Sequence, residues 1–303
     1  MTIRLETPET VLCTPNFRPF LGEGGSQVAC AVFSEVTELP EVSGQAEFET
    51  IMFSVHRTED GFVRRYRDQD GRYYAVGWTT PTGVEIRYLP WSRAYFSETH
   101  NCFSHIGLEE LLLLRDRLIL HAAFVAVVGR GLLFSGPSGI GKSTQAALWE
   151  RHGARLINGD RTVLSQDAAG WRAWGSPYAG SSRCFRSEDR PVGAVVVLEQ
   201  SPVCVVRRLT AAEAFYRLYP QMTVNSWSST YVERASSLLA ELTARVPVYL
   251  LACTPDDRAV EMLARVLKED NALGFEGSSL GGAADAVPLY QGKPGEDPAQ
   301  RNI

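Results

Sequence analysis

Residues 136–144 read Gly136-Pro137-Ser138-Gly139-Ile140-Gly141-Lys142-Ser143-Thr144, which matches the template G-x-x-x-x-G-K-[ST] at every fixed position. The apolar run before them, 131–135, predicts a short buried strand, and residues 143–150 predict the first turns of a helix. A glycine loop in this context turns backbone N–H groups towards phosphate oxygens, and the helix dipole adds positive charge. The motif therefore predicts a nucleotide site, with Lys142 on the β- and γ-phosphates and the Ser143 hydroxyl on Mg²⁺. The alternative is a glycine-rich turn that binds nothing.

The composition is that of an ordinary globular protein. The 303 residues are 45% hydrophobic with a net charge of −5, so we expect neither nucleic acid nor an anionic membrane as a partner. The longest apolar runs, such as 194–198, fall far short of the ~20 residues that span a bilayer. The first residues lack the apolar segment of a secretory signal. Six cysteines are scattered without metal-ligand spacing, which predicts a cytoplasmic protein with reduced thiols.

Residues 1–104 form a first region in which strand patterns dominate. Alternating or aromatic runs lie at 49–55, 62–66, 73–78 and 84–89, with turn signals between them. We predict a meander of antiparallel strands. Its arginines form either a basic face for an acidic partner or an ordinary solvated strand face. They are Arg57, Arg64, Arg65, Arg67 and Arg72.

Residues 105–270 are predicted to form a second domain, and 271–303 a disordered tail that is poor in core-forming residues. We expect an amphipathic helix over 106–120 and then a β-hairpin, 121–135, that leads into the glycine loop. Most phosphate-loop proteins reach the loop from a single parallel strand, so this entry selects a fold. Further strands are expected at 154–158, 162–164, 171–174, 194–198, 204–209 and 248–253, and helices at 210–218, 231–245 and 257–268.

Two carboxylates are candidates for a position near the γ-phosphate. Glu199 ends the strand at 194–198, as a Walker B acid of an ATPase does. Asp160 follows the strand at 154–158. We favour Asp160, because a strand directly after the loop helix is expected to return beside the loop strand and to carry its terminal carboxylate to the phosphates.

The region around the loop resembles the catalytic domain of the HPr kinase/phosphorylase family. The shared features are His121 before a hairpin, the glycine loop, a helix that ends at His152-Gly153, and Leu156-Ile157-Asn158-Gly159-Asp160. The resemblance covers about residues 118–165, extends less strongly to 268, and leaves out the first hundred residues. It implies an α/β (α+β) fold similar to the nucleotide-binding core of PEP carboxykinase, with a mixed sheet. It also implies transfer of phosphate from ATP, with Mg²⁺, to a protein serine. Related small kinases belong to peptide-biosynthesis clusters.

The resemblance assigns roles by position. It implies that residues 136–144 bind the triphosphate, that Ser143 and Asp160 hold the metal, and that Asp160 acts as general base. His121 matches a histidine of the family, and a buried structural histidine is the alternative. Arg161 departs from the family, whose bifunctional enzymes have a second aspartate there. This arginine weakens the case for phosphorylase activity, and it either clamps a phosphate or turns outward into a salt bridge.

The loop at 180–186 follows the substrate-facing segment of the family in chain order. Its candidates for substrate or phosphate contacts are Ser181, Ser182, Arg183 and Arg186, although plain surface charge is the alternative for the arginines. We predict an ATP-dependent kinase that phosphorylates a serine of a peptide or small protein, such as a biosynthetic precursor peptide. The alternatives are a P-loop ATPase, a non-catalytic nucleotide sensor and a small-molecule kinase. Homo-oligomerisation is left open.

Overall fold

The computed structural model describes residues 2–7, 15–22, 28–59, 61–80 and 82–274. Its first sheet has seven strands in the order β1-β2-β7-β6-β5-β4-β3. The strands are β1 (Thr2–Glu6), β2 (Val28–Glu35), β3 (Phe48–Glu49), β4 (Phe53–Thr58), β5 (Gly61–Arg67), β6 (Tyr73–Thr80) and β7 (Gly83–Tyr88). From β3 to β7 the pairing is antiparallel, as the turn signals predict. At the β1 edge of the sheet the prediction of antiparallel strands is wrong, because β1 pairs in parallel with β2, and β2 pairs in parallel with β7.

The second sheet has eight strands and carries the glycine loop. Its strands are β8 (Arg117–Val127), β9 (Arg130–Ser135), β10 (Arg155–Asn158), β11 (Arg161–Asp167), β12 (Gly170–Trp174), β13 (Asp189–Gln200), β14 (Val205–Arg208) and β15 (Val248–Cys253). The hairpin of β8 and β9 delivers the chain into the loop, as expected from the sequence. Parallel and antiparallel pairs are both present, so the predicted mixed α/β architecture is confirmed.

Strand pairing in this second sheet closes on itself. The long strands β8 and β13 each pair with more than two neighbours, and the circuit runs β8, β9, β13, β12, β11 and back to β8. β10 pairs with β8 on the outer side of this circuit. The strand after the loop helix therefore does not lie beside β9, because β8 is between them. That step of the argument for Asp160 is wrong, and its position is decided by the local geometry described below.

Six helices accompany the sheets in the described part of the chain: α1 (Thr99–His105), α2 (Leu108–Leu113), α3 (Lys142–Arg151), α4 (Ala211–Leu218), α5 (Ser229–Arg245) and α6 (Asp257–Glu269). One apolar core joins β8, β11 and β13 to α4 and α5, and another joins the opposite faces to α3 and α6. α4 begins with a complete capping box between Thr210 and Glu213, as its sequence predicts. None of the helices in the described ranges is long and apolar enough to cross a bilayer.

The helix predicted over 106–120 is not formed as one element. α1 ends before Gly107, which has a φ of 58°, and α2 stops at Leu113. Asp116 then takes a φ of 55°, and the chain continues as β8. Leu118 belongs to this strand because the run Leu118-Ile119-Leu120 is completely enclosed between the cores. The pattern of leucines in a short apolar segment did not distinguish helix from strand.

The first sheet shares a core with the second. Residues of β5, β6 and β7 pack with Leu108 and Leu112 of α2, with Ile119 of β8 and with Val163 of β11. The division at residue 104 thus remains a prediction about domains, whereas the packing across it is continuous. Of the predicted tail, residues from 275 onward lie outside the described part of the chain.

A buried ion pair crosses the same boundary. Arg64 on β5 and Glu110 on α2 have side chains that are 4% and 1% exposed. The Arg64 guanidinium also lies 5.3 Å from the ring of Trp227. Both interpretations of these arginines, a basic face for a partner and a solvated strand face, are therefore wrong for Arg64, whose side chain is buried.

Replacing Glu110 with alanine is expected to lower the free energy of unfolding by about 3–5 kcal/mol, because it leaves the guanidinium buried without its counter-charge. Urea denaturation measures the loss. Glu109→Ala on the same helix is the matched control and should cost far less, since Glu109 is only partly buried. The double variant Arg64→Met/Glu110→Leu should recover most of the stability. A Glu110→Ala protein as stable as the Glu109→Ala protein would contradict the assignment.

Candidate phosphate-binding and catalytic site

The glycine loop connects the end of β9 to the first residue of α3. Gly139 and Gly141 have φ values of 79° and 113°, which L-residues with side chains rarely adopt. A Cβ at either position would meet no other atom within 4 Å. The loop therefore requires glycine because of the positive φ angles, and not because a side chain would clash. This conformation leaves the N-terminus of α3 free to receive an anion.

Lys142 is the first residue of α3 and is almost completely buried. Its ammonium donates to the carbonyl oxygens of Gly136 at 2.8 Å and Pro137 at 2.9 Å. Burial lowers the pKa of Lys142, and the nearby Asp160 carboxylate partly offsets that shift. The lysine is thus fixed against its own loop, with a carboxylate in electrostatic range.

These groups line one cleft of about 350 Å³. Its walls come from the glycine loop, from the start of α3, from β8, from the segment after β10 and from the loop before β13. The lining residues are His121, Ser138, Gly139, Gly141, Lys142, Ser143, Thr144, Gly159, Asp160 and Ser181. Because the glycine loop runs directly into α3, these residues belong to four separate segments of the chain, which contribute to the same space.

Asp160 is brought into the cleft by an irregularity at the end of β10. The register of β10 on β8 shifts between Leu156 and Asn158, which redirects the chain just before the carboxylate. Gly159 follows, where a Cβ would come within 1.7 Å of the Ser182 hydroxyl. Only glycine allows the loop at 180–182 to pack so closely against this turn. The Asp160 side chain is 16% exposed and faces the cleft.

Asn158 holds this turn in place. Its side chain is completely buried, and its Oδ1 accepts from the backbone N–H groups of Asp160 and Arg161, both at 2.9 Å. Its Nδ2 donates to the carbonyl oxygens of Ser176 at 2.8 Å and Tyr178 at 2.7 Å. One amide therefore ties the turn at Gly159 and Asp160 to the loop that follows β12. Sequence reasoning did not assign this residue a role.

His121 lies beside Asp160 in the lining of the cleft. Its Nε2 is 3.4 Å from Asp160 Oδ1, and its backbone carbonyl accepts from the hydroxyl of Ser135 at 2.9 Å. The imidazole is partly exposed and lines the cleft, so it is not the fully buried structural histidine of the alternative interpretation. An imidazole in this position can orient the carboxylate or share a proton with it.

Arg161 turns away from the cleft and is not among the residues that line it. Its guanidinium donates to the hydroxyl of Thr223, lies 5.1 Å from the ring of Tyr178, and has its Nε 3.8 Å from Asp160 Oδ2. Burial raises the pKa of Tyr178, which stays a neutral phenol at physiological pH. Arg161 therefore does not line the cleft as a phosphate clamp would, and the salt bridge expected as the alternative is formed with Asp160 itself.

The four candidate residues in the loop at 180–186 differ in whether their side chains reach the cleft. The Ser181 hydroxyl lies 3.1 Å from that of Ser143 and lines the cleft. The Ser182 hydroxyl donates to the Ala179 carbonyl and has a local structural contact. Arg186 donates from Nε to the Leu156 carbonyl at 3.0 Å, and Arg183 is exposed. Neither arginine lines the cleft, so Ser181 is the one of the four candidates that does.

Glu199 is placed differently from Asp160. It is the last but one residue of β13, the direct parallel neighbour of β9, and its carboxylate accepts from Arg217 at 3.1 Å. It lines a second cavity of about 530 Å³, which shares Gly139, Gly141 and Thr144 with the cleft. This cavity also contains Gln145 and Cys253, whose thiol has its pKa raised to about 11 by burial. It extends the phosphate cleft on the side away from Asp160.

Comparison with known proteins gives a limited likeness. The chain matches no family model. It is 43% identical over 53 residues, 18% of its length, to an HPr kinase/phosphorylase of Lactobacillus delbrueckii subsp. bulgaricus, and the match spans 17% of that protein. Its structure is similar, with a TM-score of 0.33 and 18% identity, to the Hpr(Ser) kinase/phosphatase of Coxiella burnetii, over 52% of this chain and 92% of that one. The sequence match, which covers about a sixth of the curated relative, relates this chain to HPr kinase/phosphorylase over a short stretch.

Proposed function

We propose that this chain is an ATP-dependent kinase that transfers the γ-phosphoryl group to a serine hydroxyl of a peptide or small protein. The observation that carries the proposal is a single cleft in which the phosphate loop, Lys142 and Ser143 face the carboxylate of Asp160 and the imidazole of His121. A binding module needs the loop alone. A carboxylate held beside an imidazole on the opposite wall is the arrangement expected of proton transfer.

ATP fits the two connected cavities. The loop amides and Lys142 would hold the phosphates, with a third ammonium proton available beyond the two that reach Gly136 and Pro137. The second cavity, of about 530 Å³, begins at the same glycines and has the size for a nucleoside. We place the nucleoside there and the transferred phosphate on the side of Asp160.

The residues present also fit Mg²⁺. Within the described ranges, no group of three or more His, Cys, Asp and Glu side chains forms a metal cage. Mg²⁺ bound with a nucleotide needs only one or two protein ligands besides phosphate oxygens and water. The Ser143 hydroxyl and the Asp160 carboxylate, on facing walls, would supply them. When bound, the ion neutralises charge on the phosphoryl oxygens.

Asp160 would orient the acceptor hydroxyl and receive its proton while Lys142 and the loop amides neutralise the phosphoryl group. Asn158 fixes the backbone of Asp160, and Arg161 supports the carboxylate from behind. The serine oxygen would form its bond to phosphorus as the bond to the ADP oxygen breaks. The γ-phosphoryl group would thereby be transferred in line from ATP to the serine oxygen, with Asp160 as the proton acceptor.

Intact mass of candidate peptides after incubation with ATP and Mg²⁺ tests the proposal. Peptides encoded beside this gene are the first to try, because the resemblance includes kinases that act on biosynthetic precursors. We expect a gain of one phosphate that is lost when the acceptor serine becomes alanine. The Lys142→Ala protein is the inactive control. Steady release of phosphate without any acceptor would favour an ATPase instead, and ATP binding without turnover would favour a sensor.

The ATPase alternative has one observation in its favour, since Glu199 lies near the end of β13, the strand that pairs in parallel with β9. Against it, Glu199 forms an ion pair with Arg217 and lies outside the cleft that holds Lys142 and Ser143. We therefore retain the kinase. We further propose a cytoplasmic protein with neither nucleic acid nor membrane as a partner. The same mass measurements would reveal a small molecule as the acceptor. Light scattering would measure whether the chain forms homo-oligomers.

Arg161→Ala is expected to slow phosphoryl transfer about tenfold and to leave ATP affinity near normal. The guanidinium favours the ionised form of Asp160 and holds its position, but it does not line the cleft. Single-turnover rates measure the effect, and Arg183→Ala, an exposed neighbour outside the cleft, is the control. We expect little phosphorylase activity, and no rescue by Arg161→Asp. Rates within about twofold of the parent would mean that Arg161 is only structural.

A further inference from the structure

An apolar cavity of about 390 Å³ lies apart from the phosphate cleft, between the N-terminal strand and the second sheet. Most of its lining is aliphatic or aromatic, contributed by β1, by the 3₁₀ turn at Pro15–Phe20, by α2 and by β11. Among its described lining residues none is acidic, and Arg117 carries the one full positive charge. The cavity is therefore an apolar recess with a cation at its wall.

Arg117 has no counter-charge within the described part of the chain. It begins β8 and is partly buried, and no carboxylate or carbonyl of the described residues forms an ion pair or hydrogen bond with its guanidinium. Its guanidinium lies 5.9 Å from the ring of Trp174. Burial and the positive charge of Arg115 lower the pKa of Arg117. A partly buried guanidinium without a carboxylate is costly, and an acidic ligand would offset that cost.

The cavity and the phosphate cleft are joined by one loop. Ser176 and Pro177 line the apolar cavity, and Ser181 lines the cleft. From Pro177 to Ser181 the chain can extend over at most about 14 Å. The loop is held by Asn158, which bonds the carbonyl oxygens on both sides of Pro177, and Asn16 donates to Pro177 itself at 2.9 Å. An extended peptide of four or five residues spans the same distance.

We propose that this cavity is the docking site for the acceptor peptide, and that it binds an apolar side chain next to an acidic one, about four or five residues from the serine that is phosphorylated. The inference rests on the proposed function, because it names a feature of the acceptor. The apolar side chain fills the recess, and its acidic neighbour pairs with Arg117. A peptide held there places its serine at the cleft.

Binding of two synthetic peptides tests the docking site without ATP. Each has one serine, preceded five residues earlier by Phe-Glu in the first peptide and by Phe-Lys in the second, with a fluorescent label for anisotropy. We expect the Phe-Glu peptide to bind about tenfold more tightly or better, the value of one charge-assisted pair in a partly dry site. Equal affinities for the two peptides, or no binding of either, would overturn the proposal.

Arg117 variants then assign the preference to this residue. Arg117→Gln should abolish the difference between the peptides, and Arg117→Glu should invert it in favour of Phe-Lys. Neither substitution leaves a hydrogen-bonding or ion-pair partner of Arg117 unpaired in the described part of the chain. Thermal melting checks that both variants fold. Arg265→Glu, on the exposed surface of α6, is the control and should keep the original preference. A preference that survives Arg117→Glu in a folded protein would also overturn the proposal.

The two proposals fail in different ways. If the Phe-Glu peptide binds through Arg117 but gains no phosphate from ATP, the docking site stands and the kinase does not. If peptides are phosphorylated at rates that depend neither on the acidic residue nor on Arg117, the kinase stands and the docking site does not.

Discussion

Replacing Lys142 with alanine is expected to weaken ATP binding by about 10- to 100-fold and to make turnover undetectable, while the protein stays folded. Losing a charge-assisted hydrogen bond to phosphate lowers affinity by about this factor, and the loop has no other cationic side chain in the cleft. The side chain is almost completely buried, but its two partners are carbonyl oxygens of its own loop. Their loss affects a local segment and not a core, so the melting temperature should fall by only a few degrees.

Lys268→Ala is the matched control for this substitution. Lys268 is exposed in the last turn of α6, far along the chain from the loop. Its replacement by alanine removes the same charge from the protein as Lys142→Ala does. Isothermal titration with ATP and a thermal melt of each variant separate binding from folding. If the folded Lys142→Ala protein bound ATP as the parent does, the phosphate-loop assignment would be wrong.

Local sequence signals predicted the parts of the fold that depend on local interactions. The start of α4 is determined by Thr210 and Glu213, which bond each other's backbone within one turn. The hairpin into the glycine loop is similarly local, since β8 and β9 are joined by a tight turn at Val128 and Gly129. Such elements are visible from neighbouring residues alone.

Other features depend on contacts between distant segments and could not be read from the pattern. The Nδ2 of Asn158 donates to carbonyl oxygens that lie 18 and 20 residues further along the chain. The orientation of Arg161 is decided by Thr223, 62 residues away, and by the ring of Tyr178. The resemblance could identify Arg161 as a departure, but only the fold places its charge behind the carboxylate. A buried Asn directly before Gly-Asp is the one local signal that could have indicated the supporting role of Asn158.

The reasoning about Asp160 shows how a site can be predicted by an incomplete argument. The expected adjacency of β10 and β9 is absent, because β8 pairs with both. The carboxylate still reaches the cleft, since the irregularity of β10 and the turn at Gly159 carry it past β8. A strand one position further away thus serves the same purpose when its end is bent towards the loop. The role of Asp160 in catalysis remains a prediction.

Asp160→Asn tests that role and is expected to lower the rate of phosphoryl transfer by about 10²-fold or more, the range for a positioned base. Asparagine has nearly the same shape, so the contacts that Asn158 makes with the backbone at this position persist. Because the loop and Lys142 are the groups proposed to hold most of the ATP, its affinity should change little. Single-turnover phosphorylation measures the rate, and titration with ATP measures the affinity.

Glu199→Gln is the control that decides between the two carboxylates. It removes the charge that pairs with the exposed Arg217 at the second cavity, and its effect on transfer should be far smaller. The contrast is informative because Glu199 lies near the end of β13 and Asp160 lies just after β10, and only Asp160 shares its cleft with Lys142, Ser143 and His121. An inactive Glu199→Gln protein beside an active Asp160→Asn protein would mean that the transferred phosphate lies on the side of β13. The kinase mechanism would then give way to the ATPase alternative, in which the acid next to the loop strand activates water.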